Sequence, residues 1–526
     1  MKIKILLFIL IIFTFAGNSY SQIEVNITNG GDLKAEQIIE MFKPALISIW
    51  YSGKNPYDYF SKSPKDTMLI SGSGFIISED GLVGTNYHVI EQIDSIIIKT
   101  SDSSFYNAEV IMTDEKQDYA LLKIIDSTGK KFPFVKLGNS DDVKQGQDIY
   151  AIGSPFGYEY TISQGIVAGI RLNEKVSFYD PITYMPFEKV FDKVIQITAA
   201  ISPGNSGGAL FNSKGEVVGI TAYGYMGYGN LNFAVAINSF KDLVKMIADT
   251  DGDAKEKMEK KKKETIFNTK YKLATNIKSE LYYDWHYSKQ KDTMKVYDTL
   301  IVKMDSANKV NFAKAESYYQ KCMDIFPDTF FVYRDLLDLY VFTESFKKAE
   351  DLYKEIRERF TSDSLLNSLS STLASAYSTS KDYNKALIFY EKVLKVDTND
   401  VFIYYQIGNL YEKMEIYSKA VDVYNKLIKR DSTYILPYIQ LGQIYYKKDK
   451  DYKKAKKILE NAYVRAMTGY GNYTDLYYYL GMIAVSEERK LDAVMYYNDL
   501  KNTYGYTVED QNKKKELYFA ILKMNE

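Results

Sequence analysis

Histidine is nearly absent, with two residues in 526. A reaction that needs an imidazole therefore has His88 or His286 to use, and nothing else. Cysteine is rarer still. Cys322 stands alone, which excludes an intrachain disulfide and, with so few histidines, any His/Cys metal cluster. Stability must come from cores large enough to need no covalent staple. Ten prolines are far fewer than the ~5% of an average chain, which suits long uninterrupted helices. No charge predominates: 67 Lys and Arg stand against 68 Asp and Glu. That balance argues against nucleic acid as the main partner. What the chain does have is tyrosine, 49 of them, and 46% apolar residues, so it is not a disordered polymer. At about 150 residues per domain, its length suggests roughly three domains.

Long apolar runs are also missing, apart from one at the start. Met1-Lys2-Ile3-Lys4 is basic, the eleven residues from Ile5 to Phe15 include ten strongly apolar ones, and Ser19 and Ser21 place small residues at alternate positions. This pattern predicts a secretory signal peptide over residues 1–21, cut after Ser21. Eleven helical residues reach about 17 Å, too short for a ~30 Å hydrocarbon core. The expectation is an exported chain, periplasmic or secreted, with no stable membrane insertion after cleavage.

Two textures follow. Residues 38–247 read as short β-branched runs punctuated by Gly, Asn, Asp and Ser, such as Gly74-Phe75-Ile76-Ile77-Ser78 and Ile149-Tyr150-Ala151-Ile152-Gly153. Many short strands at near-regular spacing predict an all-β barrel or sandwich. Residues 251–264 are charged and mixed in sign, which reads as a solvated linker or helix end. Beyond them the periodicity is helical to the end.

The helical part repeats. Lys-Ala pairs followed by an aromatic four residues later recur at Ala315, Ala349, Ala386 and Ala420, with looser copies at Ala455 and Ala493. The alanine spacings are 34, 37, 34, 35 and 38. Tyr340, Tyr377, Tyr411 and Ala484 lie nine residues before an alanine, and Tyr445 lies ten before. Small residues such as Gly408 and Ala420 fit where two helices cross closely, while tyrosines fill the gaps between pairs. This pattern resembles the tetratricopeptide repeat, over about six helix pairs from residue 296 to 506. The resemblance implies a helical solenoid whose groove takes a protein or peptide partner, with residues such as Tyr404 and Gln443 lining it.

Chemistry concentrates in the β part. His88 sits in Thr85-Asn86-Tyr87-His88, Asp118 follows thirty residues later, and Ser206 lies in Ser202-Pro203-Gly204-Asn205-Ser206-Gly207-Gly208. A serine hydroxyl is a weak nucleophile; it needs a base, and the base needs a carboxylate to fix its tautomer. The order His, Asp, Ser is that of the chymotrypsin fold. Gly204-Asn205-Ser206-Gly207-Gly208 also fits the nucleophile elbow of α/β-hydrolases, but that fold needs its histidine after the serine. His286 alone follows, in a setting that reads as a helix surface. The subtilisin order needs an aspartate before the histidine, and Asp58, Asp66 and Asp80 lie in loop-like sequence.

With these residues in view, 38–247 resemble the protease domain of the HtrA/Deg family of trypsin-like serine proteases. Gly72-Ser73-Gly74 before the histidine strand, Gly153-Ser154-Pro155-Phe156-Gly157, the run 161–169 and Gly204-Asn205-Ser206-Gly207-Gly208 match its motifs, and Asn232-Phe233-Ala234 sits where the family has Gly-Phe-Ala. The resemblance implies a double β-barrel with His88 as base, Asp118 as orienter and Ser206 as nucleophile. It also implies an oxyanion hole from the backbone of Gly204, Asn205 and Ser206, and a substrate pocket at Ala200, Ile201, Thr221 and Ala222. An uncharged pocket base favours small aliphatic residues at the cleavage site. Thr198 stands where the family has Asp, and Asn232 where it has Gly. Residues 171–194 look long for the loop before the nucleophile motif, and the family's usual PDZ domain is not recognisable.

The combined expectation is an all-β chymotrypsin-like double barrel over residues 35–250, a charged linker and capping helices over 251–295, an all-α solenoid over 296–507 and a C-terminal helix over 508–526. It would be a cofactor-free, metal-free serine endopeptidase acting on protein or peptide substrates, and a homo-oligomer is compatible with it. The competing expectation is a catalytically inactive adaptor that uses both parts to bind peptides.

Overall fold

The computed structural model describes residues 32–54, 66–91, 93–154, 160–179, 186–224, 231–248, 252–290, 306–467, 473–504 and 507–524. The expected signal segment lies outside them. The chain forms two compact units, one running to Tyr282 and including Asn308–Pro327, the other made of Tyr283–Ala307 and Asp328–Glu526.

The first unit opens with α1 (Ala35–Phe42), then β1 (Leu46–Lys54), β2 (Asp66–Ile76), β3 (Leu82–Asn86), the single turn α2 (Tyr87–Ile90), β4 (Ile96–Thr100), β5 (Phe105–Asp114) and β6 (Tyr119–Ile125). These strands close a barrel in the order β1-β2-β3-β6-β5-β4. A second barrel holds β7 (Asp148–Gly153), β8 (Thr161–Tyr179), β9 (Pro186–Ile197), β10 (Ala209–Asn212), β11 (Val217–Gly224) and β12 (Asn232–Ala236), in the order β10-β11-β12-β9-β8-β7. Alternation does the sorting: along β4, Ile96, Ile98 and Thr100 are buried while Ile97 and Lys99 are not. Ile47, Ile49, Val83, Ile98 and Leu122 fill the first barrel, and Val167, Ile195, Ile197, Leu210 and Ala234 fill the second.

A third core lies between the barrels. Phe75, Tyr119 and Leu121 of the first meet Tyr150, Phe211 and Val235 of the second, and α3 (Ile237–Ala248) adds Phe240. Phe240 packs edge-on to Phe75 at 6.3 Å and against Tyr119 at 5.7 Å. Fully burying each such ring contributes about 1.5–3 kcal/mol. This core holds the facing edges of the barrels together.

Residues 171–194, expected as a long loop, are mostly strand. β8 and β9 pair from Val167↔Ile197 out to Tyr179↔Pro186. The reason is a buried side: Val176 and Phe191 are inaccessible, and Phe191 stacks on Tyr223 at 5.6 Å. Of the run 251–264, expected as a linker or helix end, residues 252–264 lie in α4 (Gly252–Gln290), a helix of 39 residues. Lys and Glu are good helix formers, and opposite charges a turn apart support them. Further along, Phe267, Leu273 and Leu281 are buried. α5 (Ser306–Ile325) carries the Ala315 signature, yet it packs on α4 within the first unit through Tyr319 against Tyr271 and Phe326 against Phe267. The pair docks on the first barrel: Lys272 meets Glu91 at 2.5 Å, Lys314 meets Asp94 at 3.4 Å, and Thr265 Oγ1 accepts the Thr113 N–H at 3.2 Å. The barrel unit therefore extends past the expected boundary near residue 250. His286 falls on the distal part of α4; its side chain lies outside the described residues.

The second unit pairs α6 (Phe330–Phe342) with α7 (Phe346–Arg359), α8 (Asp363–Thr379) with α9 (Tyr383–Val396), α10 (Val401–Lys413) with α11 (Tyr417–Arg430), α12 (Leu436–Ile444) with α13 (Tyr452–Ala466) and α14 (Thr474–Ser486) with α15 (Lys490–Lys501); α16 (Val508–Lys523) follows. Ala349, Ala386, Ala420, Ala455 and Ala493 are inaccessible to solvent. A Cβ on Gly408 would lie 2.3 Å from the Tyr424 ring, so glycine is what lets α10 and α11 approach. Each pair turns on a left-handed residue that is not glycine: Glu344, Lys381, Glu415, Lys450 and Glu488 have φ between +50° and +67°. Each stands five residues before its alanine.

Candidate active site

His88 leaves the end of β3 on the turn α2, while Asp118 ends the β5–β6 connection. Asp118 adopts φ +59°, a tight left-handed turn that drives its carboxylate back toward His88. Its Oδ2 lies 2.6 Å from His88 Nδ1, and its Oδ1 accepts the His88 backbone N–H at 3.0 Å. The bidentate grip fixes both the ring and the chain that carries it. Asp118 is buried, whereas 36% of the His88 side chain is exposed, which leaves the far side of the ring open. Burial works against charge on both groups, but each partner's opposite charge outweighs it. The His88 pKa is raised above its ordinary value and that of Asp118 is lowered.

Ser206 sits on a turn between β9 and β10, on the other barrel. Gly207 carries φ +83°, and a Cβ there would lie 2.2 Å from the Ser73 carbonyl oxygen. Only glycine allows the chain to run so close to β2. The Ser206 carbonyl accepts the Ser73 N–H at 2.8 Å, which joins the serine turn to the histidine barrel. Ser206 Oγ donates to the Ala222 carbonyl at 3.1 Å. Among the described residues it makes no hydrogen bond to His88.

Of the three backbone groups expected to form the oxyanion hole, Asn205 is committed elsewhere: its N–H donates to the Ser202 carbonyl at 3.0 Å. The N–H groups of Gly204 and Ser206 donate to no described residue. The expected pocket residues divide. Ala200 is exposed and Ile201 half-buried against the second-barrel core, and the Ala222 carbonyl holds the serine hydroxyl. Thr221 instead turns its hydroxyl to the carbonyls of Asn205 (2.6 Å) and Gly208 (3.2 Å), so its side chain braces the serine turn from beneath. Asn232 is buried, with Nδ2 donating to the Ala199 carbonyl at 2.8 Å. Thr198 Oγ1 accepts the Ile166 N–H at 2.9 Å and ties β8 to the segment before the pocket.

Sequence reasoning missed the residues that join these parts. Asn86 Oδ1 accepts the Gly207 N–H at 2.7 Å while its Nδ2 donates to the Asp118 carbonyl at 3.0 Å. One amide thus ties the serine turn to the aspartate turn beside the histidine. Ser73 Oγ donates to the Gly204 carbonyl at 2.7 Å and accepts the Ser154 N–H at 2.8 Å. A signal existed: Asn86 is a polar residue at the end of a buried strand, and such a group must find partners. Lys189 was also passed over. Its Nζ lies 3.8 Å from Asp118 Oδ1.

Parts of the chain are similar to known proteins. Residues 72–220 match the trypsin-like peptidase domain family, and residues 371–400 and 403–434 match the tetratricopeptide repeat. The probable periplasmic serine endoprotease DegP-like of Pseudomonas putida (strain GB-1) is 46% identical over 170 residues, 32% of this chain and 32% of that protein. The protein of the same description from Marinomonas sp. (strain MWYL1) is 40% identical over 204 residues, 38% of this chain and 39% of its own length. The chain thus spans about a third of the length of these relatives. The solved HtrA-type protease AlgW with a decapeptide is 26% identical, with a TM-score of 0.33, over 41% of this chain and 68% of that one. Residues 72–220, set in a β-barrel unit, are accordingly similar to the trypsin-like peptidase domain and to DegP-like proteases, and two stretches of the helical region after them are similar to tetratricopeptide repeats.

Proposed function

We propose that the chain is an exported serine endopeptidase, periplasmic or secreted, that cleaves protein or peptide substrates after small aliphatic residues. The observation that carries this reading is the 2.6 Å contact of Asp118 Oδ2 with His88 Nδ1 on one barrel, joined through Asn86 to the glycine-lined serine turn of the other. In this reading His88 takes the Ser206 proton as the hydroxyl attacks the substrate carbonyl, and Asp118 holds the tautomer and stabilises the imidazolium. The oxyanion falls to the Gly204 and Ser206 N–H groups. A rotation of Ser206 about χ1 must first take Oγ from the Ala222 carbonyl to His88 Nε2. The uncharged Ala200 and Ile201 at the inferred pocket base favour a small apolar side chain there. The repeats would present protein segments; Tyr404 there carries the Arg430 guanidinium at 4.5 Å from its ring. The domain division at Pro327, with 1–21 as signal peptide, belongs to the same proposal.

The Ser206–Ala222 hydrogen bond also suits the adaptor reading, in which the site stays at rest. Fluorophosphonate labelling separates the two. Labelling of the wild-type protein, lost in Ser206→Ala and in His88→Ala, supports the peptidase. Asp118→Asn should then lower kcat on the order of 10⁴-fold through the wrong tautomer. A wild-type protein that hydrolyses no peptide and takes no label is an adaptor.

A further inference from the structure

The contacts of the β8–β9 hairpin point to a function for its inner face. Along β9, Lys189 and Phe191 alternate to the same side, and Lys189 pairs across the hairpin with the buried Val176. The Lys189 side chain is only 15% exposed. Burying an ammonium is costly unless a partner compensates, and its ion-pair partner here is Asp118. Lys189 Nζ stands 3.8 Å from Asp118 Oδ1, the oxygen that also holds the His88 backbone N–H, and 5.9 Å from the centre of the Tyr87 ring. Three residues along, the Asp192 N–H donates to Gln117 Oε1 at 3.0 Å. The hairpin therefore grips residues 117 and 118 at two points, one through the backbone and one through charge.

We propose that Lys189 is a positioning residue for the His88–Asp118 pair: its ammonium anchors one carboxylate oxygen and moderates how strongly the carboxylate holds a proton on the ring. The proposal rests on the peptidase reading for its catalytic meaning but not for its electrostatics. The other charged groups on this side are Glu91, just after α2, and, around Tyr87, Glu115 of the β5–β6 connection and Lys272 of α4. Glu91 favours the imidazolium and Lys189 opposes it. Without Lys189, no other described residue of the hairpin stands against the two carboxylates, and His88 should become a stronger base that is blocked by protons at higher pH. Asp118 would also be freer to swing.

The scarcity of histidine makes the test direct. Protein labelled at histidine Cε1 gives two imidazole resonances, and His286→Gln assigns them. In Lys189→Met the His88 midpoint should rise by about half a pH unit or more, while His286 stays put and Lys189→Arg stays near wild type. The acid limb of kcat/KM should move with it. Lys189→Gln repeats the measurement if the methionine variant melts early. An unchanged His88 midpoint in a folded Lys189→Met or Lys189→Gln protein overturns the assignment. A midpoint that shifts in a protein whose Ser206 takes no fluorophosphonate keeps the Lys189 assignment and removes the peptidase reading instead.

Discussion

At the scale of single residues, the His88–Asp118 pair sets a pH dependence with a definite sign. In the peptidase reading His88 must be neutral to accept a proton, and its pKa lies above the ordinary 6.5 because, although burial lowers it, Asp118 raises it more. The acid limb of kcat/KM should therefore have its midpoint above pH 6.5, read with a fluorogenic peptide. Asp118 is lowered from 3.8, so its protonation enters only below that pH. The stability that follows has two edges. The histidine's share is complete below its unfolded value and lost as pH rises through the folded one; the aspartate's share is lost as pH falls below 3.8. The pairing of His88 with Asp118 was legible in the sequence because chemistry restricts their type. Asn86 and Ser73 were not, because their importance lies in which backbone groups they reach, and that depends on two barrels meeting. Lys189 was hidden for the same reason: a lysine in a segment of charge and aromatics reads as surface until a strand pairing turns it inward.

At the scale of elements, the helical repeat was legible from alanines that recur where helices cross. What escaped was the turn. In four of the five pairs the residue after the left-handed position donates its N–H to the carbonyl five back, at Tyr340, Tyr377, Tyr411 and Ala484, with distances of 2.8–2.9 Å. These are the residues found nine before an alanine. Tyr445, the exception at ten, begins a π-helical turn, Tyr445–Asp449, which holds the extra residue. A spacing irregularity in the sequence was thus a local change of helix type. The left-handed positions are strained for residues with a Cβ. Lys381→Gly and Glu488→Gly, both at exposed sites, should each stabilise the second unit by about 0.5–1 kcal/mol, after allowing for the greater freedom of glycine in the unfolded chain. Calorimetry on the full chain checks this; a lower melting temperature for either variant would refute it. The β8–β9 hairpin was misjudged for the opposite reason. Its arms mix charged and aromatic residues, and only the inner face is buried.

At the scale of the whole chain, the two textures in the sequence marked a β part and an α part, but the compact units do not divide there. α4 and α5 belong with the barrels because Lys272, Lys314 and Thr265 meet Glu91, Asp94 and Thr113, all within a few residues of His88 or Asp118. A chain ending at Pro327 should unfold cooperatively and melt about 5 °C or more above one ending at Ala254, which loses both helices. Scanning calorimetry of the two truncations decides it, and equal melting temperatures would show that the helices contribute nothing to the barrels.

The path of the backbone has a further consequence. The chain leaves the barrel unit after Tyr282 and re-enters it at Asn308 before leaving again at Pro327. Two modules strung in sequence can be shuffled by a single recombination at their junction. Here a crossover anywhere between 283 and 307 would strand α5 with the wrong parent, opposite an α4 it had not evolved against. Exchange of repeat arrays on this scaffold should therefore be tolerated only downstream of Pro327, and hybrid chains spliced there should keep their barrels intact whichever repeats they receive.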